Sequence, residues 1–219
     1  MVFRSAPLFA LVAVCGAQQA AVPVEQEPHH HLVLTNEFVE VMRVNLAPGE
    51  SSLYHTHGHD GAAVELSNAT IAQQKLGEAQ GPKDQAKPGD VAARTVNTPY
   101  THRVINVGDV PFDVLDVEFL QRPPVPSGMV AGEVVAENPS ARVYRWTLGP
   151  GEVGAQHTHV RPYLIVAPVA MQLRMTTSDG RSRTESVKPG DYHWVNPRVT
   201  HTLANDGSEP GEIVEIELK

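Results

Sequence analysis

The chain has 219 residues and a formal net charge of −8, with 41% hydrophobic and 19% charged residues. An acidic chain without a lysine- or arginine-rich run gains little from releasing counterions at phosphates, so nucleic acid is excluded as an expected partner. Its 18 prolines and 17 glycines, beside few aromatic residues, favour short strands joined by turns over long helices.

The first 17 residues have the pattern of a secretory signal peptide. Arg4 precedes an apolar stretch at residues 6–14, and the small residues that follow predict cleavage after Ala17. The stretch is too short to span a bilayer, so we expect a secreted or periplasmic protein. Two alternatives stay open: a buried N-terminal helix, and a lipoprotein anchored at Cys15. Because Cys15 is the only cysteine, the cleaved chain would contain no disulfide.

The segment that follows, residues 18–37, is predicted to be a leader that is mobile around Pro23 and Pro28. Its three consecutive histidines, His29, His30 and His31, are interpreted as a solvated tract before the first strand.

The rest of the chain contains two copies of one pattern. APGESSLYHTH begins at residue 47 and GPGEVGAQHTH at residue 149, and in both a glycine is followed, after five residues, by His-Thr-His. Lys-Pro-Gly-Asp occurs at residues 87–90 and again at 188–191, each time followed by a proline, a histidine and an asparagine. Both copies close on an alternating strand, at residues 112–120 and 211–219. The same elements in the same order indicate a duplicated domain.

A proline-rich stretch, QRPPVPSG at residues 121–128, separates the copies and favours an extended linker. We therefore predict an N-terminal barrel at residues 38–120, a linker at 121–140 and a C-terminal barrel at 141–219. Outside the signal peptide the periodicity is that of strands, and each half is predicted to be a small antiparallel barrel or sandwich.

The histidines of the repeats are candidate metal ligands. Side chains alternate between the two faces of a strand, so the two histidines of each His-Thr-His point the same way. A third histidine from a distant strand would complete one face of a coordination sphere. Three neutral imidazoles suit divalent Fe, Mn, Zn, Ni or Cu, and such a site keeps positions open for water or substrate. The predicted ligands are His55, His57 and His102 in the first half, and His157, His159 and His201 in the second.

These motifs resemble those of the cupin superfamily, and the whole chain is similar to a bicupin of the cupin 2 conserved-barrel type. The resemblance covers about residues 38–120 and 141–219. It implies an all-β fold of two tandem double-stranded β-helix barrels, also called jelly rolls. It is weak evidence for a reaction, because this fold carries many functions.

One departure from the family is informative. The family motif has a glutamate three to four residues after His-x-His, but those positions hold Gly61 or Ala62 in the first half and Tyr163 or Leu164 in the second. We therefore expect three-histidine sites, with Asp60 as a weak fourth partner in the first half alone. The candidates for contact with a substrate are His59, Asp60 and Arg161.

A site without a carboxylate ligand leaves the charge of the ion unneutralised, which favours small anionic, chelating molecules. Relatives with three-histidine iron sites imply a metal-dependent dioxygenase. The alternative is a non-catalytic protein that binds a small ligand or uses its metal for rigidity. Catalytic residues are unassigned, and a monomer and a homodimer are both open.

Overall fold

A computed structural model describes residues 20–124, 130 and 132–219. The predicted signal peptide, with Cys15, lies outside these residues. Within them, no helix has the length and apolar character needed to cross a membrane.

The described part of the first half is made of strands and one short 3₁₀ turn, Val24–Gln26. Its strands are β1 (Val22–Pro23), β2 (His30–Thr35), β3 (Val39–Leu46), β4 (His55–His57), β5 (Gly61–Glu65), β6 (Thr70–Lys75), β7 (Lys83–Gln85), β8 (Val91–Arg94), β9 (Tyr100–Asn106) and β10 (Phe112–Phe119).

The second half repeats this arrangement. Its strands are β11 (Glu133–Glu137), β12 (Ala141–Leu148), β13 (His157–His159), β14 (Tyr163–Ala167), β15 (Met171–Thr177), β16 (Ser182–Val187), β17 (Asp191–Val195), β18 (Val199–Asn205) and β19 (Gly211–Leu218).

Each half forms two sheets, and the strand orders match except that β1 of the first half has no counterpart among the described residues of the second. In the first half the sheets run β1-β4-β9-β6-β7 and β2-β3-β10-β5-β8. In the second they run β13-β18-β15-β16 and β11-β12-β19-β14-β17. The repeated topology confirms the predicted all-β fold of two tandem jelly-roll barrels.

Two segments expected to lie outside the barrels belong to them. β2 pairs with β3 over most of its length, and β1 lies parallel to β4. Residues 22–35 are thus strands of the first barrel instead of a separate leader, since β2 covers what would otherwise be an exposed edge of β3. Likewise, β11 falls in the predicted linker but pairs with β12.

An apolar core lies between the two barrels and contains side chains from both. On β10, Leu115, Val117 and Phe119 face the second barrel, where they pack with side chains such as Ile216 and Leu218 of β19. Because side chains alternate along a strand, the intervening residues of β10 and β19 point into their own barrels. The last strand of each half therefore holds the barrels together with one face and lines a barrel interior with the other.

Two arginines, one from each barrel, contact a glycine of the other barrel. Arg145 of the second barrel donates a hydrogen bond of 2.5 Å to the carbonyl oxygen of Gly89 in the first. Arg43 of the first barrel packs on Gly190, where a Cβ would come within 3.0 Å of the guanidinium. Both glycines have positive φ, +87° and +85°, so each is required for its turn, and Gly190 also leaves room for the arginine that packs on it.

Candidate metal sites

The first barrel brings three histidines together. β4 pairs with β9 so that His55 lies opposite His102, and His57 projects to the same side as His55. The Nε2 atoms of His57 and His102 are 3.0 Å apart, and ligand atoms of all three rings lie within 4.8 Å of one another. All three side chains are buried, so a metal ion there would be held away from bulk water.

A hydrogen bond at Nδ1 orients each of these three imidazole rings. When Nδ1 carries the proton and donates it to an outer acceptor, Nε2 is left with a lone pair for a metal. The outer acceptors are the carbonyl oxygen of Leu53 for His55 (3.0 Å), the carboxylate of Glu118 for His57 (2.9 Å) and the side-chain oxygen of Gln73 for His102 (3.2 Å).

Burial favours the neutral imidazole at two of these histidines, His55 and His102. It lowers the pKa of His55 to about 4 and that of His102 to about 2, and the neighbouring histidines reinforce the effect. Metal binding requires neutral imidazole, so the donor set fits a divalent transition-metal ion.

The second barrel contains the equivalent trio and a carboxylate. Glu215, on β19, lies 3.2 Å from the Nε2 atoms of His157 and His159 and 3.3 Å from that of His201. Burial alone would raise the pKa of Glu215, but its bonds to the three histidines lower it well below the usual value. The second group is therefore three histidines and one glutamate, and the prediction of a three-histidine site is wrong for this barrel.

Glu215 was not identified from the sequence, because the family motif has its carboxylate just after the two histidines. The available signal was in the terminal strand: Glu215 and Glu217 alternate with the apolar Val214, Ile216 and Leu218, on a strand buried on both faces. Charges at such positions must point into the barrel and find partners there. Glu217 holds Nδ1 of His159 at 2.5 Å, as Glu118 holds His57.

The first barrel has Asp116 where the second has Glu215. Asp116 is one methylene shorter and pairs with Arg94 at 3.2 Å. Burial alone would raise the pKa of Asp116, but the charges of Arg94, His57 and His30 together outweigh burial and hold the pKa at about 2. Arg94 also pairs with Glu118. A Cβ at Gly61 would overlap the Arg94 guanidinium, so the glycine at the family's glutamate position makes room for this arginine.

The two groups of candidate ligands differ in whether they line a cavity. A cavity of about 490 Å³ in the first barrel is lined by His55, His57 and His102. A pocket of about 730 Å³ in the second barrel is lined by none of the four residues of its metal group. Larger side chains explain the difference, as equivalent strand positions show: Trp146 replaces Val44, Tyr163 replaces Gly61, and Ile165 replaces Ala63.

Two of these larger side chains, Trp146 and Tyr163, are aromatic and cover the candidate ligands of the second barrel. Trp146 stacks on His157 with ring centroids 4.3 Å apart and donates a 2.7 Å hydrogen bond to Glu215. Tyr163 stacks on His159 at 3.7 Å. The second group of ligands is thus enclosed by packed rings.

A fourth histidine lines the first cavity. His30, at the start of β2, is buried with its ring centroid 4.5 Å from that of His55. Glu27 accepts a 2.6 Å bond from Nδ1 of His30 and another of 2.9 Å from the amide of Leu53. The interpretation of His29–His31 as a solvated tract is therefore wrong for His30, because β2 carries it inward.

The three predicted substrate contacts fare differently. His59 is exposed and does not line the cavity. Asp60 accepts hydrogen bonds from the amide of Val96 (2.8 Å) and the hydroxyl of Ser140 (2.7 Å), so it ties the barrels together instead of joining the metal group. Arg161 is buried, and burial lowers its pKa against the opposing charge of Glu217. That places Arg161 behind the second site.

No protein-family model matches the chain, and no curated protein matches it. Solved structures do. AerE from Microcystis aeruginosa aligns with a TM-score of 0.57 at 11% identity, covering 88% of this chain and 98% of its own. Salicylate 1,2-dioxygenase from Pseudoaminobacter salicylatoxidans, solved with gentisate, gives 0.58 at 12% identity, with 83% and 68% covered. Oxalate decarboxylase from Bacillus subtilis, described with Mn(II) centres, gives 0.54 at 17% identity, with 83% and 69% covered.

These likenesses, with the duplicated barrels, show the cupin fold in two tandem copies, as the sequence motifs predicted. Both barrels contain buried groups of histidine and acidic side chains that could bind a metal ion. The assignment of individual residues as metal ligands stays a prediction.

Proposed function

We propose that this protein is a metal-dependent bicupin enzyme whose first barrel binds a small anionic organic molecule, with oxygen-dependent cleavage of that molecule as the reaction. The observation that carries the proposal is the cavity of about 490 Å³ that reaches His55, His57 and His102. A cavity of this volume is within the range of small-molecule sites.

In the first barrel, His55, His57 and His102 would hold a divalent Fe, Mn, Zn, Ni or Cu ion. Such an ion polarises bound oxygen atoms and lowers the pKa of bound water. Glu118 and Gln73 fix the orientation of two of the three rings from outside, so the Nε2 atoms keep their direction when a ligand enters.

The charge of the first site supports an anionic ligand. Arg94 pairs with both Asp116 and Glu118 and offsets part of their negative charge, and the nearer Asp116 oxygen stays 3.8 Å from Nδ1 of His57. In the second barrel Glu215 sits among the ligand nitrogens. An ion in the first site would therefore keep more of its positive charge for a bound acid.

The structural neighbours are consistent with this substrate class. The two with named reactions act on salicylate and oxalate, and one was solved with gentisate. All three are organic acids with oxygen atoms placed to chelate.

The second barrel favours a different role, because Trp146 and Tyr163 cover its ligands. We propose that its three histidines and Glu215 hold a structural metal ion. The non-catalytic alternative is that the first site also lacks activity. A metal ion would then only rigidify each barrel.

We also propose that the protein is exported, on the evidence of the sequence at residues 1–17 alone. Expression of the full chain with its own N-terminus, followed by mass analysis of the exported product, tests this. A product that begins at Gln18 is expected. A full-length product would contradict export, and a lipid-modified product would show anchoring at Cys15 in place of cleavage after Ala17.

The function is tested by oxygen uptake with the Fe-loaded protein and a panel of gentisate-like acids, 1,3-diketones and flavonols. We expect uptake with at least one organic acid, its loss in His57→Ala and its retention in His159→Ala. Uptake that survives His57→Ala would exclude the first site as its source. A purified protein that retains no metal, and whose melting temperature does not fall on chelation, would refute metal dependence altogether.

A further inference from the structure

The first cavity contains a carboxyl group that the metal site does not use. Glu65 lies at the end of β5, where it pairs with Val114 of β10. Gly61 and Ala63 precede it on the same face of the strand, opposite Glu118 and Asp116. At about 3.4 Å per residue, Glu65 is roughly 7 Å along the strand from the level of Asp116. The carboxyl therefore lies well away from the histidines.

Apolar side chains form the walls around Glu65. The larger apolar residues that line the cavity with it are Val44, Ile71, Val104, Phe112 and Val114. We call this cavity the slot: the histidines, Arg94 and Asp116 line one part of it, and Glu65 lies farther along β5. The second barrel has Ala167 at the position of Glu65, so this carboxyl is particular to the open site.

One oxygen of the Glu65 carboxyl is left without a partner. Its Oε2 atom is buried and makes no hydrogen bond within the described residues. A buried polar atom without a partner costs stability, and a ligand in the slot would be the natural partner.

The surroundings keep this group protonated. Burial and, to a lesser extent, the charges of nearby acids together raise the pKa of Glu65 to about 8; the acids are Asp90 before β8, Asp84 on β7, and Asp116 and Asp113 on β10. Arg94 and Arg43 are already engaged by Asp116 and Asp113. At neutral pH the group is therefore a carboxylic acid that can donate a hydrogen bond, a role that apolar sites confer on carboxyls in other proteins.

We propose that Glu65 is the specificity-determining residue of the first cavity, where its protonated carboxyl donates a hydrogen bond to an oxygen atom at the far end of an acid anchored on the histidine-bound metal. This rests on the proposed function and narrows its substrate class. The ligand is an organic acid with a chelating head, a flat apolar body such as an aromatic ring, and a further oxygen across that ring. An acid as small as oxalate does not extend along the slot.

Two aromatic acids that differ by one hydroxyl test the proposal. Gentisate has a ring hydroxyl that salicylate lacks. Calorimetric titration of the Mn(II)-loaded protein should give tighter binding of gentisate, by about tenfold for one hydrogen bond. Above about pH 8 Glu65 ionises and can only accept a hydrogen bond, so the size of the preference should change as the pH passes that value. In Glu65→Ala the preference should be absent at every pH, and in Glu65→Gln it should not vary with pH. The exposed Glu78→Gln is the matched control and should behave as the parent.

A second readout does not depend on binding. The infrared carbonyl band of a protonated carboxyl should be present in the parent at neutral pH, vanish as the pH rises through about 8, and be missing in Glu65→Gln. If both acids bind in a manner that His57→Ala abolishes, yet Glu65→Ala keeps the preference, the role of Glu65 is refuted and the proposed function stands. If neither acid binds the metal-loaded protein, the proposed function fails and this inference fails with it.

Discussion

Asp116 and Glu215 occupy equivalent positions on β10 and β19, yet they have opposite partners. Asp116 pairs with Arg94 at 3.2 Å, whereas Glu215 lies 3.2–3.3 Å from the Nε2 atoms of three histidines. The carboxylate of Glu215 thus lies among the histidine nitrogens of the second barrel. The shorter Asp116 is paired with an arginine in the first. The same duplicated fold can in this way support one open and one closed metal site.

Glu215→Gln should weaken metal binding at the second site. The amide offers a poorer ligand and leaves His157 and His201 without a charge partner, so we expect an affinity loss of at least about tenfold. Competition with a chromophoric chelator measures it. Asp116→Asn is the matched variant, and it should leave the affinity of the second site unchanged. Equal losses in the two variants would show that Glu215 is not a ligand.

Ala63→Ile should close the first cavity while keeping its histidines. Ile165 fills the equivalent place in the second barrel, so the substitution copies a side chain that this fold already accommodates. We expect a full metal content and loss of gentisate binding, measured by metal analysis and calorimetry. Retained binding would place the ligand site outside this cavity.

Asn138→Ala should destabilise the protein more than Asn36→Ala. Both side chains accept hydrogen bonds in equivalent turns, before β3 and before β12, but Asn138 also donates to the carbonyl oxygens of Gly61 and Arg94 across the interface, at 2.9 Å each. Loss of these buried bonds should cost about 1–3 kcal/mol of unfolding free energy beyond the control. Urea denaturation tests this, and equal effects would mean that the bonds contribute nothing.

Glu65 should make stability depend on pH. Its pKa is about 8 in the folded chain against an ordinary value of 4.5, so the folded state keeps a proton that the unfolded chain has lost between these values. The contribution is complete below about pH 4.5 and is lost as the pH rises through about 8. Relative to Glu65→Gln, the parent should lose on the order of 3 kcal/mol between about pH 5 and 9. Urea denaturation at both pH values measures this. Parallel curves for the two proteins would contradict the raised pKa.

The repeats made much of the fold and site predictable. Gly-x5-His-Thr-His occurs twice, and strand alternation alone put each pair of histidines on one face. His102 and His201 followed from their matching places in the second motif. The carboxylates did not follow, because Glu215 and Asp116 approach from strands that are distant in sequence from the histidines. His30 was missed for the same reason: its role depends on the pairing of β2 with β3, which local composition does not reveal.

The central claim is that a metal in the first barrel is open to small molecules while one in the second is enclosed. Water-proton relaxation of the Mn(II)-loaded protein tests it directly, since only an ion in contact with exchanging water relaxes the solvent efficiently. We predict that His159→Ala, which keeps the first site, retains most of the relaxation enhancement per bound ion, and that His57→Ala, which keeps the second, loses most of it. Equal enhancement in both variants, or the reverse order, would contradict the account.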